Sequence, residues 1–517
     1  MVGVIGAGLL PSAPAVAFTC RADPAISDRK QALLQATLQG QEGAFEAYRT
    51  LISEEARRLQ QCRSRAWPQT QAIWLRLYPC DLQPGVLEQV FDEIVNQGYN
   101  RVYIETFFDG RVVLPANRNP TVWPSVVRQP EWADADLLAL ALQKSRERGL
   151  VSYAWFHGLN FGYAYSQRGD RQEVLARNGY GKNSLEVIER SGGATEFIGD
   201  ADKAFVDPYS PQGRADYLAA VGAVLERRPD GLLIDYIRYP RQTGPASVAV
   251  RVKDLWVYSP ASFQALIQRG TNNEGRALIE RYLRQGYLTQ TDVETVSALY
   301  PDEREPLWQG RSPTPVPATQ NASSSGNTSN NNNQTSKPPA LPPISERLGP
   351  MQWQLWLLSV NHAYQGVADF LHYVTAPAKQ MGISTGAVFF PEGKNTVGQG
   401  YDSRLQGWDR FTQVGEWHAM AYGVCGQTSC ITDQVKRVVD EAPPGISVAP
   451  VLVGAWGRSV ENRPSLEDQM LAIRQVTPTV NSVSHFDFGR VATQLNQARR
   501  ACRAGLATSQ PPPANPR

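Results

Sequence analysis

Eight short apolar or β-branched runs recur along the chain, each followed by a stretch with helical spacing. In order they are AIWLRLY (72–78), RVYIETF (101–107), VSYAWFH (151–157), GLLIDYI (231–237), ISTGAVFF (383–390), EWHAMAY (416–422), ISVAPVLV (446–453) and SVSHFDF (482–488). Strands alternating with helices imply parallel crossovers, and eight is the number that closes a ring, so the expected fold is a (β/α)₈ TIM barrel. An open, doubly wound sheet would use the same alternation and is the competing architecture. The intervening helices are legible at Gly85–Gln97, Ala135–Arg148, Pro211–Arg228, Met351–Met381 and Leu466–Val476. Several end at a glycine (Gly98, Gly149, Gly382), which supplies the left-handed C-cap residue.

The remaining segments are read from composition. Residues 1–17 form a short apolar run ending Ala15-Val16-Ala17, a small-x-small pattern resembling the end of a secretory signal with cleavage after Ala17. A buried N-terminal strand or a tail is the plain alternative. Residues 18–66 carry helical spacing at Phe45, Tyr48, Leu51, Ile52, Ala56 and Leu59 and are expected to form a helical extension on the barrel, which then spans 67–500. A long excursion at about 240–350 separates strand four from its helix, and a barrel carries such insertions on its catalytic rim. Within it, residues 311–343 are rich in Pro, Ser, Thr and Asn and lack the apolar groups that offset ordering entropy, so disorder is expected there. Residues 501–517 form a C-terminal tail.

Six cysteines (Cys20, Cys62, Cys80, Cys425, Cys430, Cys502) fit structural disulfides in an oxidising compartment. Six allow fifteen pairings, of which Cys425 with Cys430 closes most easily. Without a Cys-x-x-Cys, and with five scattered His, no metal is expected, and nothing calls for a cofactor. A net charge of +2 gives no electrostatic case for nucleic acid. No segment reaches the ~18–20 apolar residues of a membrane span. The protein is therefore expected to be exported, to the periplasm or the exterior. No residue pattern addresses oligomeric state.

A barrel enzyme collects its chemistry at the C-terminal ends of its strands. Those ends here carry Arg76 and Tyr78, Glu105 and Asp109, His157 and Asn160, Asp235 with Arg238 and Tyr239, Glu392, Tyr422, Trp456 and Asp487. Carboxylates and aromatic rings thus converge on one rim. The strand-four segment Asp230-Gly-Leu-Leu-Ile-Asp235-Tyr-Ile-Arg238-Tyr239-Pro240 resembles the glycosyl-hydrolase-like 10 family. So do Val206-Asp207-Pro208 with Pro211 and Arg214, Val102-Tyr103 with Asp109-Gly110, Ala154-Trp155-Phe156, and Met420 with Tyr422. The similarity runs from about 72 to 490, interrupted by the excursion. The chain departs from the family pattern at Tyr153, His157, Tyr209, Leu357 and Leu358, positions that bear on sugar specificity.

The resemblance implies an O-glycoside hydrolase acting on a poly- or oligosaccharide, with peptidoglycan strands or an exopolysaccharide as candidates. Such chemistry needs two carboxyl groups flanking the scissile bond. Asp235 is the first choice for nucleophile or base, kept ionised by Arg238; a structural Asp–Arg pair is its plain alternative. Glu105 is the first choice for the acid, although a partnership with Arg76 explains it almost as well, and Glu392 is the rival. Arg76, Tyr78, His157, Asn160, Arg238, Tyr239, Tyr422, Trp456 and Asp487 are candidates for binding sugar; core or rim packing accounts equally for each aromatic. Asp207 could cap the helix at Pro211, and Asp487 could pair with Arg490. A non-catalytic glycan-binding barrel is the alternative function, favoured if Asp235 lacks a second carboxyl group nearby. Phosphate chemistry would have only Gly454-Ala-Trp-Gly457 and the Phe488-Gly489-Arg490 turn to draw on.

Overall fold

The computed structural model describes residues 20–190, 203–242, 244–314 and 341–503. Among them, eight parallel strands carry the barrel: β1 Thr70–Arg76, β2 Arg101–Phe108, β3 Val151–His157, β4 Gly231–Asp235, β5 Ser384–Phe389, β6 Glu416–Ala421, β7 Val451–Leu452 and β8 Ser482–His485. Each pairs with its successor, and β1 pairs with both β2 and β8 (Trp74 opposite Tyr103, Thr70 opposite Ser482). That last pairing closes the ring and excludes the open sheet. β7 is shorter than its apolar run suggests. Pro450 has no amide hydrogen to give the ladder, and the run divides into Ser447–Val448 and Val451–Leu452.

Among the described residues the helices of eight residues or more are, in chain order, α1 Pro24–Leu38, α2 Ala44–Arg65, α3 Val86–Asn96, α4 Leu137–Glu147, α5 Pro211–Leu225, α6 Pro260–Ile267, α7 Asn273–Gln285, α8 Gln290–Leu299, α9 Ile344–Gln380, α10 Ser429–Glu441, α11 Leu466–Val476 and α12 Thr493–Arg500. α1 and α2 make up the N-terminal extension. α2 buries Tyr48 and Ile52 against Leu34 of α1 and Leu59 in the main core, and Leu51 is also buried, while Phe45 faces solvent. A buried network fixes it there: Tyr48 donates to Asp92 at 2.6 Å, and Arg148 donates to Asp92 at 2.8 Å and to the Tyr48 hydroxyl at 2.6 Å. α9 begins about two turns earlier than expected, since the helix continues through Pro350.

The excursion after β4 is largely helical (α6 to α8), and Val248–Ala249 joins Gly400–Asp402 and Thr396–Val397 in a small antiparallel sheet. Asp207 helps dock it. Its carboxylate accepts from the amides of Tyr209 and of Ser262 in α6, both at 2.9 Å, and Ser210, not Asp207, caps α5. The Asn-rich run is ordered at its edge, where Thr314 donates its amide to Glu305 at 2.7 Å; residues 315–340 lie outside the described residues. So do the signal-like segment 1–17 and all but the first residues of the C-terminal tail. Disulfides join Cys20 to Cys62, Cys80 to Cys502 and Cys425 to Cys430. Among the described residues no helix is long and apolar enough to cross a membrane.

Because side chains alternate along a strand, every second residue enters the ring. Glu416 lies at the bottom, accepting from Tyr153 at 2.7 Å, from Arg101 at 3.1 and 3.2 Å and, at 3.1 Å, facing His418. Burial opposes its charge, but these partners win and hold its carboxyl down at about 2. Trp74, Tyr103, Trp155, Leu233, Val388 and Met420 pack above it. The next inward positions on β1 to β4 are Arg76, Glu105, His157 and Asp235, which floor the mouth.

Candidate active site

The mouth of the barrel is a cavity of about 250 Å3, near the lower end of the ~300–1,000 Å3 typical of small-molecule sites. Trp74, Trp155, Tyr236, Phe390, Tyr422 and Phe486 give it aromatic walls, and Glu105, Asp109, Asp235, Arg76, His157, Lys203 and Arg238 give it ionisable groups. Aromatic faces with a few fixed polar groups match the alternating apolar and hydroxylated faces of a sugar ring.

Asp235 ends β4. Tyr236 follows in the left-handed region at φ +47°, which halts the strand and turns the Tyr236 amide back onto Asp235 Oδ1 at 2.6 Å. The Trp155 indole donates to Oδ2 at 3.2 Å. Burial nevertheless dominates and pushes this carboxyl above the usual range, against His157, the Tyr236 amide, Arg238 and Trp155. Arg238 does favour the charged form, as expected, but burial outweighs it. Arg238 donates to the Tyr239 carbonyl at 3.0 Å and lies 4.7 Å over the Tyr236 ring.

Glu105 is equally buried but fully engaged. The Arg76 guanidinium clasps it through Nε and, at 3.1 Å, through a terminal nitrogen, and His157 Nε2 sits 3.2 Å away. Burial alone would raise its carboxyl, but Arg76 and His157 overcome that and hold it below the usual range. A carboxylate so held does not release a proton near neutrality, which argues against Glu105 as the acid. Asp109 sits at the end of β2, itself left-handed at φ +45°. Its Oδ1 has no hydrogen-bond partner and lies 4.0 Å from His157 Nδ1, while about a third of its side chain reaches solvent. Its loop is pressed by Gly162, where a Cβ would come within 2.1 Å of the Gly110 nitrogen; only glycine allows that approach. Non-glycine residues in this conformation cost on the order of 1 kcal/mol or more each, and Asp109 and Tyr236 flank the same cavity.

The structure brings Arg76, Glu105, His157, Asp235, Arg238 and Tyr422 together, as expected from the strand ends. Tyr78 and Asp487 line an adjoining cavity instead. The Arg490 guanidinium reaches Glu461 at 2.9 Å in place of a direct ion pair with Asp487, on which Arg490 still acts through its charge and its backbone amide. Asn160 is fully buried, accepting the Gly162 amide at 3.1 Å with its amide nitrogen 3.4 Å from His157 Nδ1, so it holds His157 from behind. Tyr239 is fully buried, its amide on the Arg404 carbonyl at 2.9 Å. Glu392 is absent from the cavity wall: the chain turns after Phe390, the Gly393 amide bonding back to its carbonyl, and the carboxylate meets Gln434. Trp456 lies outside the mouth, under Arg21, its indole donating to the Tyr99 hydroxyl at 3.3 Å. The Gly457 amide donates to the Glu467 carboxylate at 2.9 Å and so is not free to cradle a phosphate.

Sequence reasoning missed Trp74, Trp155, Tyr236, Lys203, Phe390 and Phe486 as cavity residues, and passed over Asp109. Alternation would have found two of them, because Trp74 and Trp155 stand two residues before Arg76 and His157. Asp109-Gly110 directly after an apolar strand was the signal for the other carboxylate. Among the described residues, no three His, Cys, Asp or Glu side chains gather in a metal-holding group.

No protein-family model matches the chain, and no curated protein matches it. Among solved structures it is similar to the glycoside hydrolase domain of PgaB (BpsB) from Bordetella bronchiseptica, at 13% identity over 85% of this chain and 99% of that one, with a TM-score of 0.45. It is also similar to the GH20 exo-β-N-acetylglucosaminidase of Vibrio harveyi in complex with N-acetylglucosamine (8% identity, 86% and 55% covered, TM-score 0.38). A third is a GH18 chitinase from Pseudoalteromonas aurantia (7% identity, 84% and 99% covered, TM-score 0.33).

Proposed function

We propose that this chain is an exported glycoside hydrolase that cleaves a bond within a cell-envelope or extracellular poly- or oligosaccharide. The motifs around Asp235 make kinship with the glycosyl-hydrolase-like 10 family part of the proposal. The observation that carries it is the meeting, in one aromatic-walled cavity, of Asp235, whose carboxyl burial pushes up, with Glu105, which Arg76 and His157 hold down, and with Asp109. Environments that push two titratable groups apart separate the roles of acid and base.

In this reading Asp235 is the general acid. It gives its proton to the glycosidic oxygen as the bond to the anomeric carbon breaks. The Trp155 indole and the Tyr236 amide then stabilise the carboxylate left behind, being already aimed at its two oxygens. Asp109, with one oxygen unpartnered, is the second carboxylate, which attacks the anomeric carbon or takes a proton from the attacking water. Glu105 stays ionised and holds His157 and Arg76 in place, a positioning role. Asp235 does not stand alone at the mouth, which was the condition for a purely glycan-binding barrel. Incubating the pure protein with a glycan panel that includes peptidoglycan, and reading products by mass, tests the proposal. Cleavage by the native chain that is lost in Asp235→Asn supports it. Binding without cleavage of any glycan gives the alternative.

A further inference from the structure

The cavity around Asp235 does not end at Arg76 and Phe486. Both side chains also line a second, more open cavity of about 480 Å3. Its other walls are Tyr78 beyond the end of β1, Asp487 and Gly489 beyond β8, and α12. The helix contributes Thr493, Asn496, Gln497 and Arg500, spaced i, i+3, i+4 and i+7, which is one face of an α-helix.

That face is presented from a fixed support. Arg499, on the other side of α12, is fully buried, donating to both oxygens of Asp81 at 2.8 and 2.6 Å and to the Arg76 carbonyl at 2.9 Å. Three residues on, Cys502 is bonded to Cys80, the neighbour of Asp81. The wall of the cavity is thus tied to the strand that carries Arg76. A hydroxyl, two carboxamides, a guanidinium and a carboxylate offer mixed donors and acceptors beside the Phe486 and Tyr78 rings. That chemistry suits a hydroxylated ring and not an apolar one.

We propose that this second cavity is a subsite for the next sugar unit of the same glycan, with Phe486 and Arg76 as the divide between the two units. The inference rests on the reading of Asp235 as the acid of a glycosidase, and it makes the preferred substrate an oligomer that spans both cavities.

Titration calorimetry on the full chain carrying Asp235→Asn, which binds without turnover, tests it. The probes are N-acetylglucosamine and glucose oligomers of one, two and four units. Affinity is expected to rise at least tenfold from one unit to four. Adding Gln497→Ala and Arg500→Ala, both solvent-exposed side chains, should reduce that gain about tenfold. Thr493→Trp, filling the cavity from the same helix face, should do likewise. A length-dependent gain that survives both variants overturns the subsite while leaving the Asp235 reading intact. An equal loss for one unit and four also overturns it. If no sugar binds at any length and the native chain cleaves none, the reading of the first cavity falls and the subsite with it.

Discussion

Replacing Asp235 by Asn separates chemistry from stability within one variant. Asp235 accepts two donors, the Tyr236 amide at 2.6 Å and the Trp155 indole at 3.2 Å. A carboxamide has one acceptor oxygen, so one donor is left facing an NH2 group, a loss of about 1–2 kcal/mol at any pH. A second effect depends on pH. The folded carboxyl lies above its ordinary value of 3.8 because burial disfavours the charge. The stability it contributes is fully present below the unfolded value and is lost as pH rises through the folded one, at about 1.4 kcal/mol per pH unit between them. Asn carries no such loss. For a chain of 517 residues, an unfolding entropy of about 2.1 cal/mol/K per residue makes 1 kcal/mol worth roughly 1 °C in Tm. The Tm of the variant relative to the native chain should therefore start one or two degrees low near pH 4. It should climb by about 1 °C per pH unit, then level off above the folded value of Asp235. Calorimetry from pH 4 to 9 reads this directly, and turnover should fall by about 10²–10⁴ at every pH. A Tm difference that is flat with pH would mean that Asp235 is ionised in the fold, and retained turnover would remove it as the acid.

Glu105→Gln should leave Arg76 and His157 without their shared anion, lowering turnover while Asp235 remains present; activity equal to the native chain would deny it a positioning role. Acidification should act through Glu416, whose carboxyl is held at about 2. Its contribution is present above the unfolded value near 4.5 and lost as pH falls toward 2, so Glu416→Gln should flatten the acid limb of the melting curve. Arg499→Met strips a fully buried partner from Asp81. It should cost about 3–5 kcal/mol, several degrees of melting, and a change under 1 °C would show that the pair is not a fastening. N-terminal mass spectrometry of protein from the native host should find a chain beginning near Phe18.

The barrel was legible because alternation of strand and helix survives in the apolar pattern, even where Pro450 divides β7. The strand ends named the rim, and six of the expected residues meet in one cavity. The pattern did not give side-chain direction beyond a strand's last paired residue. Glu392, Tyr239 and Asn160 all follow a strand end, and each is carried away by a turn whose course depends on backbone bonds to distant segments. Trp456 sits just past β7 and finds its place beside Tyr99 and Arg21, neither of them near it in sequence. The roles of Glu105 and Asp235 were set by burial and by which cations lie within reach, and those quantities arise only after folding. The excursion's three helices were overlooked because the Asn-rich run dominated its composition.

Cys80 and Cys502 are 422 residues apart, yet they meet beside the seam where the first strand finds the last. Neighbouring strands elsewhere are brought together by the chain that connects them, but this one junction has no connecting chain. The covalent bond supplies it, turning the barrel from a curled ribbon into a hoop. In the chain-entropy picture closing a loop of this length is worth upwards of ~5 kcal/mol, through the freedom it removes from the unfolded chain. Because Arg76 stands at that junction and lines both cavities, whatever loosens the hoop displaces the side chain that divides them.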